Sequence, residues 1–233
     1  METTASDGWF VTLEGPEGSG KSTQAEHLSA ALRATGHEVV VTREPGGTAV
    51  GERIRSALLD GAPGAARIDA RTEALLFDAA RAQLVDEVVE PAIRRGAIVL
   101  CDRFADSTVA YQGYGRGLAI EALRFVEGFA TRGRRPDLTI LLDLPVELGL
   151  RRKSPDEQTR FEGLDIAFHQ RVRDGFLALA AAEPERWVVI DAAQDAGEVR
   201  EAVLAAAVAR LPARMAAAAR AAAAASIAAA VRR

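Results

Sequence analysis

Residues 9–22 read Trp-Phe-Val-Thr-Leu-Glu-Gly-Pro-Glu-Gly-Ser-Gly-Lys-Ser, and this stretch decides the fold. Trp9 to Glu14 is a short apolar run rich in strand formers, the glycines stop it, and helical spacing follows from Lys21 to Thr35. The chain thus turns through Gly15, Pro16, Glu17, Gly18, Ser19 and Gly20 into a helix that opens on Lys21, Ser22 and Thr23. That strand-to-helix context is what makes G-x-x-x-x-G-K-[ST] a phosphate-binding loop. Glycines let successive backbone N–H groups turn inward around phosphate oxygens, and the helix N-terminus adds partial positive charge at the same point. Lys21 suits the β- and γ-phosphates of a nucleotide, and the Ser22 hydroxyl suits Mg²⁺.

Outward from this loop the same alternation continues. Glu38 to Thr42, Ala97 to Asp102, Leu138 to Leu144 and Trp187 to Asp191 are further apolar runs, nearly continuous as in strands covered on both faces. Helical spacing covers Arg71 to Arg95 with Pro91 near its end, Asp165 to Ala182, and Ala196 to Leu211. Five β runs separated by helices predict an α/β fold, a five-stranded parallel sheet flanked by helices in three layers. Ligands of such sheets sit beyond the carboxyl ends of the strands. The phosphate loop, the segment after Thr42 and the Asp102 turn all fall there.

The 233 residues are 48% hydrophobic and 27% charged, a soluble globular composition that excludes a collagen-like, disordered or membrane-spanning chain. A net charge of -4 excludes a global positive field for nucleic acid, so any polyanion must meet a local site. Four arginines and no acid follow Pro212, which leaves residues 1–212 at -8. Thirteen of those last 21 residues are alanine, so 213–233 reads as a helical or disordered tail outside the 1–212 domain. Cys101 has no cysteine partner and reads as a packing residue, and Met1 to Asp7 has no secretory signal. The reading is a cytoplasmic protein with no nucleic acid and no membrane partner. His27, His37 and His169 are scattered, without zinc-ligand spacing.

A phosphate loop alone does not choose among a GTPase switch, a motor ATPase and a small-molecule kinase. No N-K-x-D guanine-reading motif is present, and no Asp-Glu pair follows an apolar strand. Three segments resemble the thymidylate kinase family, bacterial type: Thr42-Arg43-Glu44-Pro45-Gly46-Gly47-Thr48; Asp102-Arg103-Phe104 followed by Ser107-Thr108-Val109-Ala110-Tyr111-Gln112-Gly113; and Arg135-Pro136-Asp137-Leu138. The resemblance implies the P-loop kinase fold, direct transfer of the γ-phosphoryl of MgATP to dTMP, and a homodimer. The alternatives left open are a related P-loop kinase for another nucleotide or nucleoside, and a non-enzymatic ATP-dependent interaction protein.

Residue by residue, the resemblance implies that Arg103 binds the acceptor phosphate, a role that also suits a guanidinium fork at a strand's carboxyl end. It implies that Asp102 acts through Mg²⁺ or its water shell, and that Glu17 approaches the acceptor's sugar hydroxyl. Phe77 would stack on thymine and Arg81 would bond a base carbonyl, although spacing by itself reads them as a core Phe beside a solvent-facing Arg. Tyr111 would crowd the sugar's 2′ position, Gln112 would face the thymine edge, Ser107 and Thr108 would line the pocket, and Glu44 and Pro45 would shape the acceptor side. The polar segment of about 151–162 looks like a lid over ATP. With Glu17 rather than an arginine in the phosphate loop, the resemblance to the bacterial type implies that the lid supplies the transition-state cation, with Arg152 and Arg160 as the candidates.

Overall fold

In the computed structural model the described residues are 8–59, 68–153, 161, 164–213 and 215–216. Strands β1 (Trp9–Glu14), β2 (Val39–Arg43), β3 (Ile98–Asp102), β4 (Leu138–Asp143) and β5 (Trp187–Asp191) pair in parallel in the order β2-β3-β1-β4-β5. The described helices are α1 (Lys21–Ala34), α2 (Ala49–Leu59), α3 (Ala70–Leu84), α4 (Glu90–Arg94), α5 (Ala105–Thr108), α6 (Ile120–Thr131), α7 (Val146–Arg152), α8 (Ile166–Ala182) and α9 (Ala196–Arg210). The chain lays β2 and β3 on one side of β1 and β4 and β5 on the other, so the topological switch lies at β1. That is where a sheet of this kind leaves a crevice for ligands.

Alternation along each strand sends successive side chains to opposite faces. Trp9, Val11, Ile98, Leu100, Leu138, Ile140 and Leu142 meet Leu28 and Leu32 of α1 and Val199, Val203 and Ala207 of α9. On the other face, Phe10, Val99 and Cys101 meet Leu84, Val89 and Ile93, while Leu141 packs with Phe168, Val172 and Phe176 of α8. Each central strand is therefore buried on both sides, with Thr12 and Thr139 hydrogen-bonded to each other at 2.9 Å among the apolar residues.

Three differences from the sequence reading have physical causes. The helix expected over 71–95 is α3 and α4 joined by a π-turn at Val85–Val89. That wider turn lies just ahead of Pro91, whose ring has no N–H and would crowd the carbonyl four residues back. Helices α2 and α6 went unread because few of their residues face the core: only Gly51 and Leu58 are buried in α2, and only Leu123, Ala130 and Thr131 in α6. The polar segment expected from Arg151 begins inside α7, whose last turn holds Arg151 and Arg152.

Beyond α9, Met215 is buried in the α1/α9 layer, and its N–H reaches the Pro212 carbonyl at 2.9 Å. This turn caps the lower end of that layer. Met215→Ala is expected to lower the unfolding free energy by about 2 kcal/mol, the low end for truncating a buried Met. Urea unfolding checks this.

Candidate active site

Sheet register assembles the site. Asp102 lies beside Leu13 on one side and Arg43 on the other, so the loops that follow β1, β2 and β3 emerge at one edge. The phosphate loop then packs against α7 so closely that a Cβ on Gly18 would sit 2.1 Å from the Gly149 carbonyl oxygen, and Gly18 has φ +70. Only glycine meets both demands. Within the loop, the Lys21 ammonium donates to the carbonyls of Gly15 (3.1 Å) and Pro16 (2.9 Å) and to Ser19 Oγ (3.2 Å). Burial, with the nearby charge of Arg103, pulls Lys21 down to about 8.

The Ser22 hydroxyl donates to Asp102 Oδ2 at 2.5 Å, which brings two hard oxygen donors to the mouth of the loop. Mg²⁺ is commonly held by one or two protein oxygens together with substrate phosphates and waters, so this pair fits the ion. Among the described residues no cluster of three or more His, Cys, Asp or Glu side chains forms a protein-only metal cage.

A cleft of about 620 Å³ opens beside this pair. Its walls bring together Glu17, Gly18, Gly20, Lys21, Ser22, Thr23, Glu44, Pro45, Phe77, Asp102, Arg103, Ser107, Thr108, Tyr111, Gln112 and Arg152. Gly15, Pro16 and Ser19 stand behind it, as partners of Lys21. Arg160 lies outside the described residues.

Arg103 joins the two halves of the cleft. Its backbone is left-handed at φ +68, a conformation that costs a non-glycine residue about 1–3 kcal/mol and persists only when its surroundings impose it. Here they do: the Arg103 N–H donates to the Leu13 carbonyl at 3.0 Å, and the Phe104 N–H donates to Glu14 Oε1 at 2.7 Å. The guanidinium reaches Gly15 O and Ser107 Oγ (both 3.1 Å), Glu17 Oε1 (2.9 Å) and the Tyr111 hydroxyl (3.0 Å), and lies over the Tyr111 ring. Tyr111 donates its own hydrogen to Glu17 at 2.7 Å. Burial opposes ionisation of Glu17, but Arg103, Lys21 and Lys153 outweigh it and hold the carboxyl well below the usual range.

Arg81 sits in a buried polar cluster beside the cleft wall. It is 1% exposed and does not line the cleft. Its Nε donates to Glu44 (2.9 Å), its Nη1 to Asp78 and its Nη2 to Thr108 Oγ1 (2.9 Å). Thr108 stands between it and the cleft. Burial pushes Glu44 up to about 7, against the pull of Arg81.

The structure adds residues that the sequence reading did not single out. Arg43 and Arg55 line the cleft beside Pro45, and Arg55 Nη1 donates to the Pro45 carbonyl at 2.8 Å. Arg43 was visible inside its motif, but Arg55 sits on the unread helix α2. Leu59 and Lys153 also line the cleft, as does Phe161, whose ring meets Tyr111 edge-on at 5.8 Å and Phe77 at 6.3 Å. Nothing local marks Phe161; its role comes from packing across the cleft.

Comparison with known proteins agrees with this geometry. A family model described as thymidylate kinase matches residues 13–203. A thymidylate kinase of Deinococcus radiodurans is 53% identical over 209 residues, covering 88% of this chain and 98% of the relative. One of Pseudomonas fluorescens is 54% identical over 197 residues, covering 84% and 93%. The crystal structure of thymidylate kinase from Ehrlichia chaffeensis superposes with a TM-score of 0.69 at 34% identity, covering 85% of this chain and 97% of that one.

Glu14 gives the site a pH signature. Burial first, and then Asp106, raise its pKa from 4.5 to about 8. Between those values the folded chain keeps a proton that the unfolded chain has lost, so stability falls as pH rises through the window. Melting temperature is expected to drop from about pH 5 to about pH 8, and Glu14→Gln to flatten that slope. Thermal melts of both proteins across the range check it.

Proposed function

The chain belongs to the thymidylate kinase family of ATP-dependent phosphotransferases, and we propose that its cleft seats dTMP and ATP with their phosphates meeting between Arg103 and Lys21. One observation carries this reading: Arg103 Nη1 and Lys21 Nζ both lie 3.1 Å from the same Gly15 carbonyl oxygen. Two cations gathered on one atom define where two anionic groups can be brought together. An oxygen of the dTMP phosphate attacks the γ-phosphorus, the bond from that phosphorus to the bridging oxygen breaks, and ADP leaves. The attacking oxygen is already anionic, so the step needs positioning and neutralised charge rather than a histidine base.

The remaining residues divide the work. Phe77 stacks on thymine and Gln112 meets its edge. Arg81 serves the base through Thr108 and Glu44, which it holds. Tyr111 stands at the sugar's 2′ position, and Glu17 at the sugar hydroxyl. Arg43 and Arg55 extend the positive wall beside Pro45 for the acceptor phosphate. Mg²⁺ held by Ser22 and Asp102 would neutralise charge on the ATP phosphates. The added cation for the transferred group comes from the 151–162 segment, from Arg152, whose Nη1 now bonds the Ala192 carbonyl at 3.0 Å, or from Arg160. Residues 1–212 form the catalytic unit. The single Cys101 and the absence, among the described residues, of a helix able to cross a membrane favour a cytoplasmic setting.

The same reading includes a homodimer. Phe125 and Phe129 are four apart on α6 and 81% and 85% exposed, and Leu75 of the adjoining α3 is also exposed. Large aromatics so uncovered on one helix mark an interaction surface, and a second copy presenting the same patch would cover it symmetrically. Phe125→Glu with Phe129→Glu is expected to halve the mass found by light scattering; an unchanged mass removes this face from the assembly.

The decisive assay is phosphoryl transfer from ATP to dTMP with ADP release coupled to an indicator. Arg55→Ala is expected to raise KM for dTMP about tenfold or more while moving KM for ATP little, since it removes one charged contact. Arg103→Ala should lose at least about 100-fold in kcat/KM, because the substitution removes the guanidinium from the cleft and also the nearest of the cations that offset Glu17. Full activity in both variants would sink the placement of the acceptor phosphate.

A further inference from the structure

Two residues of the cleft wall hold a buried oxygen without a hydrogen bond, Glu44 at Oε1 and Gln112 at Oε1, and Gln112 is the amide of the two. Gln112 is 1% exposed and lines the cleft, and its Oε1 is buried without a hydrogen bond. The other end of the amide is committed, because Nε2 donates to Glu73 Oε1 at 2.6 Å. Glu73 is 0% exposed, and its second oxygen accepts from Arg116 Nη2 at 3.3 Å. An ion-paired carboxylate has no hydrogen to give, so it accepts only the NH₂ end of an amide. Turning the amide over would set two oxygens 2.6 Å apart in a buried site, where nothing offsets their repulsion.

Two elements far apart in sequence make this lock. Glu73 comes from the first turn of α3 and Gln112 from the π-helical stretch Val109–Gly115. Arg116, which follows that stretch, lies over the Phe168 ring and supplies the counter-charge. Glu73 is not among the cleft-lining residues, and it touches the lining at Gln112.

We infer that Glu73 fixes the hydrogen-bond polarity of Gln112, so that the cleft presents an acceptor to the base and selects pyrimidines that carry N–H at position 3. Thymine and uracil donate from that position. Cytosine has a bare nitrogen there, and two acceptors would face each other across a desolvated gap. A site built to receive a hydrogen rejects a ligand that lacks it more strongly than an apolar pocket rejects a missing methyl. Glu73 is thus a positioning residue for base choice. The inference rests on the proposed contact between Gln112 and the base.

The test measures kcat and KM for dTMP, dUMP and dCMP on the wild-type chain, Glu73→Gln and Gln112→Leu, with a thermal melt of each. dUMP and dCMP both lack the methyl, so their ratio isolates the polar edge. In Glu73→Gln the new amide presents either an oxygen or an NH₂, which frees Gln112 to turn. The expected result is a dUMP-to-dCMP preference in kcat/KM narrowed about tenfold, with the change for dTMP falling on KM more than on kcat. A folded Glu73→Gln with its preference unchanged overturns the polarity lock. If Gln112→Leu leaves KM for dTMP unaltered, the base does not reach Gln112, and the underlying contact falls along with the inference. A Gln112→Leu that raises this KM beside an unaltered Glu73→Gln ratio sinks the lock alone. Should Glu73→Gln melt below the assay temperature, N3-methyl-dUMP on the wild-type chain decides: a loss of about tenfold or more supports the donated hydrogen, and turnover equal to dUMP overturns it.

Discussion

The site depends on Arg103 being held in a backbone conformation that it would not choose. Parallel pairing of β1 and β3 brings the Arg103 N–H to the Leu13 carbonyl, and Glu14 takes the next N–H, that of Phe104. Between them these bonds set the left-handed turn. Only because the turn is made does the guanidinium point back across β1 to the Gly15 carbonyl, where Lys21 already donates. A regular strand ending would send this side chain away from the loop. The sheet register, the buried carboxyl of Glu14 and the positive φ of Arg103 are therefore one arrangement, and the meeting of Arg103 and Lys21 at the Gly15 carbonyl is its product.

Glu17 shows how charge is balanced around that point. A carboxylate inside a phosphate loop opposes the binding of anions, but here Arg103, Tyr111 and Lys153 surround it. Its charge lets Arg103 and Lys21 be buried close together without either being left uncompensated, which matters because like charges repel strongly where water is excluded. The cost is a loop with no cation to spare beyond Lys21. That is the physical basis of the proposal that the 151–162 segment adds an arginine.

Much of this frame was legible in the amino-acid order. The strands were readable because both their faces are buried, and Gly15–Ser22 was readable because its glycines answer to backbone geometry that no other residue satisfies. Depth was not readable. Phe77 and Arg81 do share a face of α3, as their spacing requires, yet Arg81 is withdrawn behind Thr108 because Glu44, 37 positions away, reaches it. Arg55 and Phe161 escaped for a related reason. Each joins the cleft through packing between elements, and neither carries a local signal of spacing or composition.

If the base is seated as proposed, Arg81 and Glu73 share one design at that end of the cleft. Each is a buried charged group in contact with a polar residue of the lining: Arg81 with Thr108 and Glu44, Glu73 with Gln112. An apolar wall would bind a pyrimidine as well, since stacking on Phe77 needs no polar partner and burying the thymine methyl contributes only about 0.8 kcal/mol. What it would lack is direction. A hydroxyl rotates and an amide has two faces, so the cleft-facing groups discriminate between bases only if something behind them removes that freedom. Fixed charges do this well, because a carboxylate only accepts and a guanidinium only donates. Ion pairs that a stability argument alone would trade for apolar side chains are thus retained where the donor and acceptor order of a ligand has to be read.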